Sequence, residues 1–180
     1  MFLIIWIINY VQSVRNVQSI MTNINSNNLQ QGDNYELLHI YIDSLAINAE
    51  NRSFVVLSCQ DLQTAIEVNS YEASMLAFVM KDYHKNSHIQ TIHQVLLRLC
   101  NFYNSKVEEI TIESKVGDLI YCSVKFVDKN LNNYFTILSL CDGIILSILS
   151  QIDLKIIRGV WDNMDYVDEE WDFENYINED

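Results

Sequence analysis

Residues 68–102 read VNSYEASMLAFVMKDYHKNSHIQTIHQVLLRLCNF, and the way this stretch divides decides how the rest of the chain is arranged. Its periodicity predicts two helices joined by a short polar loop. In the first helix Met75, Leu76 and Val79 recur at helical spacing and mark the buried face. Asn69 or Ser70 is the expected cap, because a short oxygen-bearing side chain accepts from the free N–H groups of the first turn. Glu72 shares the stripe of Met75 and Leu76. A carboxylate there is paired, hydrogen-bonded or bound to a cation, or it takes up a proton; in the first turn it also complements the helix dipole. In the second helix Ile89, Ile92, Val95, Leu96, Leu99 and Phe102 form a broad apolar face expected to pack inward, with His93 among them. His88, Gln90, Gln94 and Arg98 fall on the exposed side. An imidazole so placed is either a hydrogen-bonded core residue or a ligand.

On the N-terminal side of this pair, residues 38–48 alternate as a strand does, and 52–59 and 63–68 offer two further β-rich runs. The tetrapeptide Asn48–Asn51 suits a hairpin turn between the first two. On the C-terminal side, 107–112, 119–127 and 134–139 read as a strand meander. Ile120, Cys122, Val124 and Phe126 alternate along its middle strand. A third helix is expected from Asp142, with Ile145, Leu146 and Leu149 inward and the Asp142 carboxylate as its cap. A last strand is expected at 155–160. The order βββ–αα–βββ–α–β predicts an α+β fold, a mixed and mostly antiparallel sheet with three helices packed on it.

The domain so read spans residues 35–161. Ahead of it, MFLIIWIINYV is too short to span a bilayer and lacks a basic leader, so no stable membrane span is expected. A polar linker, 22–34, follows. Behind it, residues 162–180 carry nine acids and no Lys or Arg, and read as a solvated acidic tail. That tail holds most of the net charge of −13; the remainder sets 15 acids against 11 bases. No basic stripe for nucleic acid is present, so any such contact requires a local patch or metal ions. Cys59, Cys100, Cys122 and Cys141 stand singly in apolar surroundings and are expected as reduced, buried thiols. The abundance of Asn and Ile, 19 and 23 residues, reflects coding from an AT-rich genome.

With this layout the sequence resembles the bifunctional nuclease domain family over residues 38–164. The family form I-G-x-x-E-A is similar to Val68-Asn69-Ser70-Tyr71-Glu72-Ala73, and R-P-L-T-H-D-L-L to Ile89-Gln90-Thr91-Ile92-His93-Gln94-Val95-Leu96. A phenylalanine-tyrosine-alanine strand corresponds to Ile120-Tyr121-Cys122, and D-A-R-P-S-D-A-I-A-L-A to residues 137–147, ILSLCDGIILS. Glu72, His93 and Asp142 keep the family residue. The Arg and Pro before the His, the Asp after it, and the Asp, Arg, Pro and Ser of the last block are replaced by Ile89, Gln90, Gln94, Ile137, Ser139, Leu140 and Cys141. An Arg holds a phosphate bidentately, which neither Ile89 nor Ser139 reproduces.

The resemblance implies hydrolysis of phosphodiesters in DNA or RNA. Glu72, His93 and Asp142 are the implied catalytic residues, and Glu72 and Asp142 the ligands of a divalent cation, Mg or Mn, with His93 as third ligand or as acid or base. It also implies a homodimer or higher homo-oligomer. With the AT-rich composition and the lack of a presequence it implies a plastid location, the chloroplast stroma. The lost arginines keep a second class open: a non-catalytic, oligomeric binding or regulatory protein that retains the fold.

Overall fold

The computed structural model describes residues 35–81, 90–117, 119–167 and the backbone of 173–175. The described residues from Glu36 onward belong to one compact unit. The expectations for the N-terminal segment and linker, for Ile89 and His88, and for most of the acidic tail lie outside the described residues.

The alternation of residues 38–48 becomes β1 (Leu37–Asn48), but with a change of phase. Leu38 and Ile40 are buried in its first half, and Leu45 and Ala46 in its second. A bulge between Ile42 and Ser44 inserts the extra residue, so that the positions reaching the main core change from Leu38 and Ile40 to Leu45. Strand β2 (Ser53–Cys59) pairs antiparallel with β1, and β3 (Leu62–Val68) with β2. The turn at Asn48–Arg52 is as expected: Asn51 has φ 60°, and the Asn48 side chain accepts from the backbone N–H groups of Glu50 and Arg52.

The meander forms β4 (Ser105–Val116), β5 (Leu119–Asp128) and β6 (Asn133–Ser139), each antiparallel to the next. A bulge between Val107 and Glu109 again reverses the inward parity, so that Val107 is buried and then Ile110 and Ile112. Strand β7 (Leu154–Ile157) is antiparallel to β1 and parallel to β4, and joins the two halves in the order β3-β2-β1-β7-β4-β5-β6. The backbone of β8 (Phe173–Asn175) pairs with the end of β1. The fold is thus α+β with a mixed, mostly antiparallel sheet, as the element order predicts.

Helices α1 (Ser70–Met80), α2 (Ile92–Phe102) and α3 (Leu140–Ser150) pack on this sheet. Helix α3 is the most deeply set, with Ile144 and Leu146 fully buried against a core that includes Ile110, Ile112, Cys122 and Val124. Burying such a side chain contributes about 1.5–3 kcal/mol. Helix α1 adds Leu76 and Val79, the face its spacing marked. No helix among the described residues is long and apolar enough to cross a membrane.

Three expectations are corrected. In α2 the apolar arc is the outward one: Ile92, Val95, Leu96, Leu99 and Phe102 are exposed, and His93 is the buried residue. The strand expected at 155–160 ends at Ile157: Arg158 still donates its N–H to the Glu36 carbonyl beside β1, but Arg158–Trp161 turns as α4 and carries Trp161 into the core. The solvated end does not begin at Asp162. Met164 is buried, Tyr166 lies edge-on to Trp161, and Val167 donates its N–H to the Gln63 carbonyl.

The C-terminal end of α3 yields a stability prediction. Gln151 adopts a left-handed conformation, φ 57° and ψ 41°, with the Ile152 N–H returning to the Ser147 carbonyl. A side chain there is strained. Gln151→Gly should therefore raise stability by about 1 kcal/mol, read as a higher denaturant midpoint at unchanged slope.

Candidate functional site

Each of the three helices starts with its own cap, and the three starts meet. At α1 the Asn69 side chain accepts from the N–H groups of Tyr71 and Glu72, while Glu72 Oε2 accepts from the Asn69 N–H at 3.0 Å. At α2 Thr91 and Gln94 cap one another in the same reciprocal way. At α3 the cap is Ser139, whose Oγ accepts from the Asp142 N–H at 3.2 Å and donates to Asp142 Oδ2 at 2.8 Å. Asp142 is thus the third residue of α3 and not its cap, a correction with a local cause. Leu140 and Cys141 are already helical, so the helix begins one turn earlier than the apolar run suggests.

These starts place Glu72, His93 and Asp142 in the wall of one cleft of about 520 Å³. Its other lining includes Tyr71, Met75, Phe78, Ile92, Cys141 and Ile145. No Lys or Arg is among the described residues that line it. The positive ends of three helix dipoles partly offset its two carboxylates.

His93 Nε2 stands 2.9 Å from Asp142 Oδ1. The His93 side chain is 10% exposed and that of Asp142 is 47% exposed, so the carboxylate fronts the cleft and the imidazole backs it. The hydrogen bond from His93 holds the Asp142 carboxyl below its ordinary value; burial opposes this, and Ser139 adds to the lowering. An ionised carboxylate only accepts, so Nε2 carries the proton. Nδ1 of His93 is buried with no hydrogen-bond partner.

Glu72 shares the cleft wall with Cys141 of α3. The Cys141 thiol is pushed up to about 12, first by burial and then by the charges of Glu72 and Asp142, and it is hydrogen-bonded to Glu72. A thiol so held stays protonated and donates; it is no nucleophile. Cys122 beneath it is also pushed up to about 12, by burial first.

The resemblance-derived residues therefore come together, although they lie on three separate helices. Ser139 and Cys141 were named only as replacements of family residues, yet Ser139 orients Asp142 and Cys141 lines the cleft with Glu72. The S-x-x-D spacing of Ser139 and Asp142 is a capping signal that was present in the sequence. Among the described residues no group of three or more His, Cys, Asp or Glu is arranged to hold a metal ion. The donor chemistry of Glu72 and Asp142, two hard carboxylates in a cleft without a basic side chain, still suits a hydrated Mg or Mn ion, which takes one or two carboxylates and completes its shell with water and phosphate. A scan against protein-family models matches none of them, and a search of curated proteins finds no similar one.

Proposed function

We propose that the chain is a nuclease, hydrolysing phosphodiesters of DNA or RNA in this cleft with the help of a divalent cation. The observation that carries the reading is the convergence of Glu72, His93 and Asp142, from three helix starts, on one cavity wall. A cation bound there supplies positive charge for the phosphate and a more acidic water. Glu72 and Asp142 are the residues that would hold it. His93 is the positioning residue behind Asp142: it fixes the carboxylate's orientation and keeps it ionised, and its own nitrogens are turned away from the cleft's open side by burial. The absence of Lys and Arg from the described lining favours the second reading, a non-catalytic binding protein, because two carboxylates alone repel a phosphodiester.

Hydrolysis of labelled single-stranded DNA, duplex DNA and RNA by the purified chain, with Mg or Mn added, separates the two. The nuclease reading expects cleavage that a chelator abolishes and that Glu72→Gln reduces by about 100-fold or more. His93→Leu should cost less, about 10- to 100-fold, as changes behind a ligand do, and should move the acid limb of the pH profile upward because Asp142 loses its main stabilising hydrogen bond. No cleavage of any substrate with either metal would leave the binding reading standing.

A further inference from the structure

Apart from Ile92, which also lines the cleft, the outward arc of α2 belongs to none of the interactions described above. Ile92, Val95, Leu99 and Phe102 are spaced three, four and three residues apart, which is the seam of a helix made to meet another helix. Their exposure is large, 73% for Ile92 and 77% for Phe102, and Leu96 and Tyr103 widen the strip. Together these six residues expose on the order of 600 Å², at the top of what a lone chain presents as one patch and close to the ~800 Å² that each partner contributes to a standard interface.

We infer that this face is where a second copy of the chain docks, α2 against α2 across a two-fold axis. Three features choose a second copy over another occupant. Charge is the first. The chain carries 24 acids and a net charge of −13, so two copies repel almost anywhere they touch, yet the described residues on and beside α2, 90–107, contain no Asp or Glu. Two α2 helices therefore meet without bringing carboxylates of their own together. Self-complementarity is the second, because a 3-4-3 seam laid antiparallel on its own copy matches apolar residue to apolar residue from either end, as an isologous contact requires. Continuity is the third. Ile92 belongs both to the strip and to the cleft lining, and Tyr71, also exposed, shares that lining. A second copy on α2 therefore closes the apolar side of the cleft that one chain leaves open. The docking face stands whether or not the cleft hydrolyses anything.

Light scattering and sedimentation of the full chain at micromolar concentration test this. The wild type should have twice the chain mass of 21.0 kDa. Leu99→Asp, at a half-exposed position, should raise the dissociation constant by at least about 30-fold, since a hot-spot loss is entered twice in a symmetric pair. Ile92→Lys serves as a second break, at a site too exposed to disturb folding. Phe135→Asp, on the edge strand β6, should leave the dimer intact; Phe135 is 59% exposed and apolar but off the strip. Unchanged circular dichroism verifies each variant's fold. A monomeric wild type, a dimer indifferent to both α2 changes, or a dimer broken only by Phe135→Asp would each overturn the inference.

Discussion

Gly143→Ala is expected to lower the stability of the domain by about 2 kcal/mol, and Gly143→Val by about 4 kcal/mol or enough to prevent folding. Gly143 lies in the first turns of α3, directly over β5. A Cβ at this position would stand 2.5 Å from Cys122 Sγ and 2.8 Å from Cys122 Cβ, well inside van der Waals contact. Cys122 is fully buried within β5, so it has nowhere to yield and the helix must lift instead. Alanine recovers up to about 1 kcal/mol of helix propensity over glycine, which sets the sign test: propensity alone predicts stabilisation, and the clash predicts the reverse. Denaturant unfolding followed by circular dichroism measures the difference. Adding Cys122→Ala to Gly143→Ala should restore only part of the loss, because it removes Sγ and leaves Cβ. A Gly143→Ala protein as stable as wild type would show that α3 does not ride so close to the sheet.

On the proposed nuclease reading Asp142→Ala should reduce hydrolysis by about 100-fold or more; on either reading it should lower stability by about 1–3 kcal/mol, because it strips the acceptor from His93 Nε2 when the other ring nitrogen already lacks a partner. Solvent reaches Asp142, which keeps the cost nearer the lower end. The pH dependence has a definite sign. The folded value of Asp142 lies below the ordinary 3.8, so its contribution is fully present above that value and is lost as pH falls through the lowered one. The gap in unfolding free energy between wild type and Asp142→Ala should hold steady from neutral pH to about pH 5 and narrow below about pH 4. A gap that widened on acidification would mean that Asp142 is not held ionised by His93.

Strand positions were legible because alternation reports local geometry. The bulges were not, since an extra residue in β1 or β4 shows only as a change of phase that Leu45 or Ile110 reveals once the partner strand is in place. The apolar face of α2 was legible as a face, but amphipathicity tells only that a stripe exists and not what covers it. Packing chose the narrow side that holds His93 and left the broad apolar side to solvent. At the site, the residue types were readable and their meeting was not. Glu72, His93 and Asp142 lie 21 and 49 positions apart, and what joins them is the packing of three helix starts. The resemblance supplied the candidates; the caps Asn69, Thr91 and Ser139 supply their orientation.

Strand β7 has only four residues, yet among the described residues the pairings that join one half of the sheet to the other pass through it. The β1-β2-β3 and β4-β5-β6 groups are each built from hairpins between neighbours in sequence, and such local pairings form early. Joining them requires Leu38 to find Ile156 across more than a hundred residues, a closure whose entropy is recovered only when the strand seats. On a ribosome, the two groups can form as they emerge, but neither can join the other until Leu154–Ile157 has left the exit tunnel. Until then the edges of β1 and β4 that β7 will occupy stay unpaired, and that interval is when the nascent chain is most open to pairing with a neighbour.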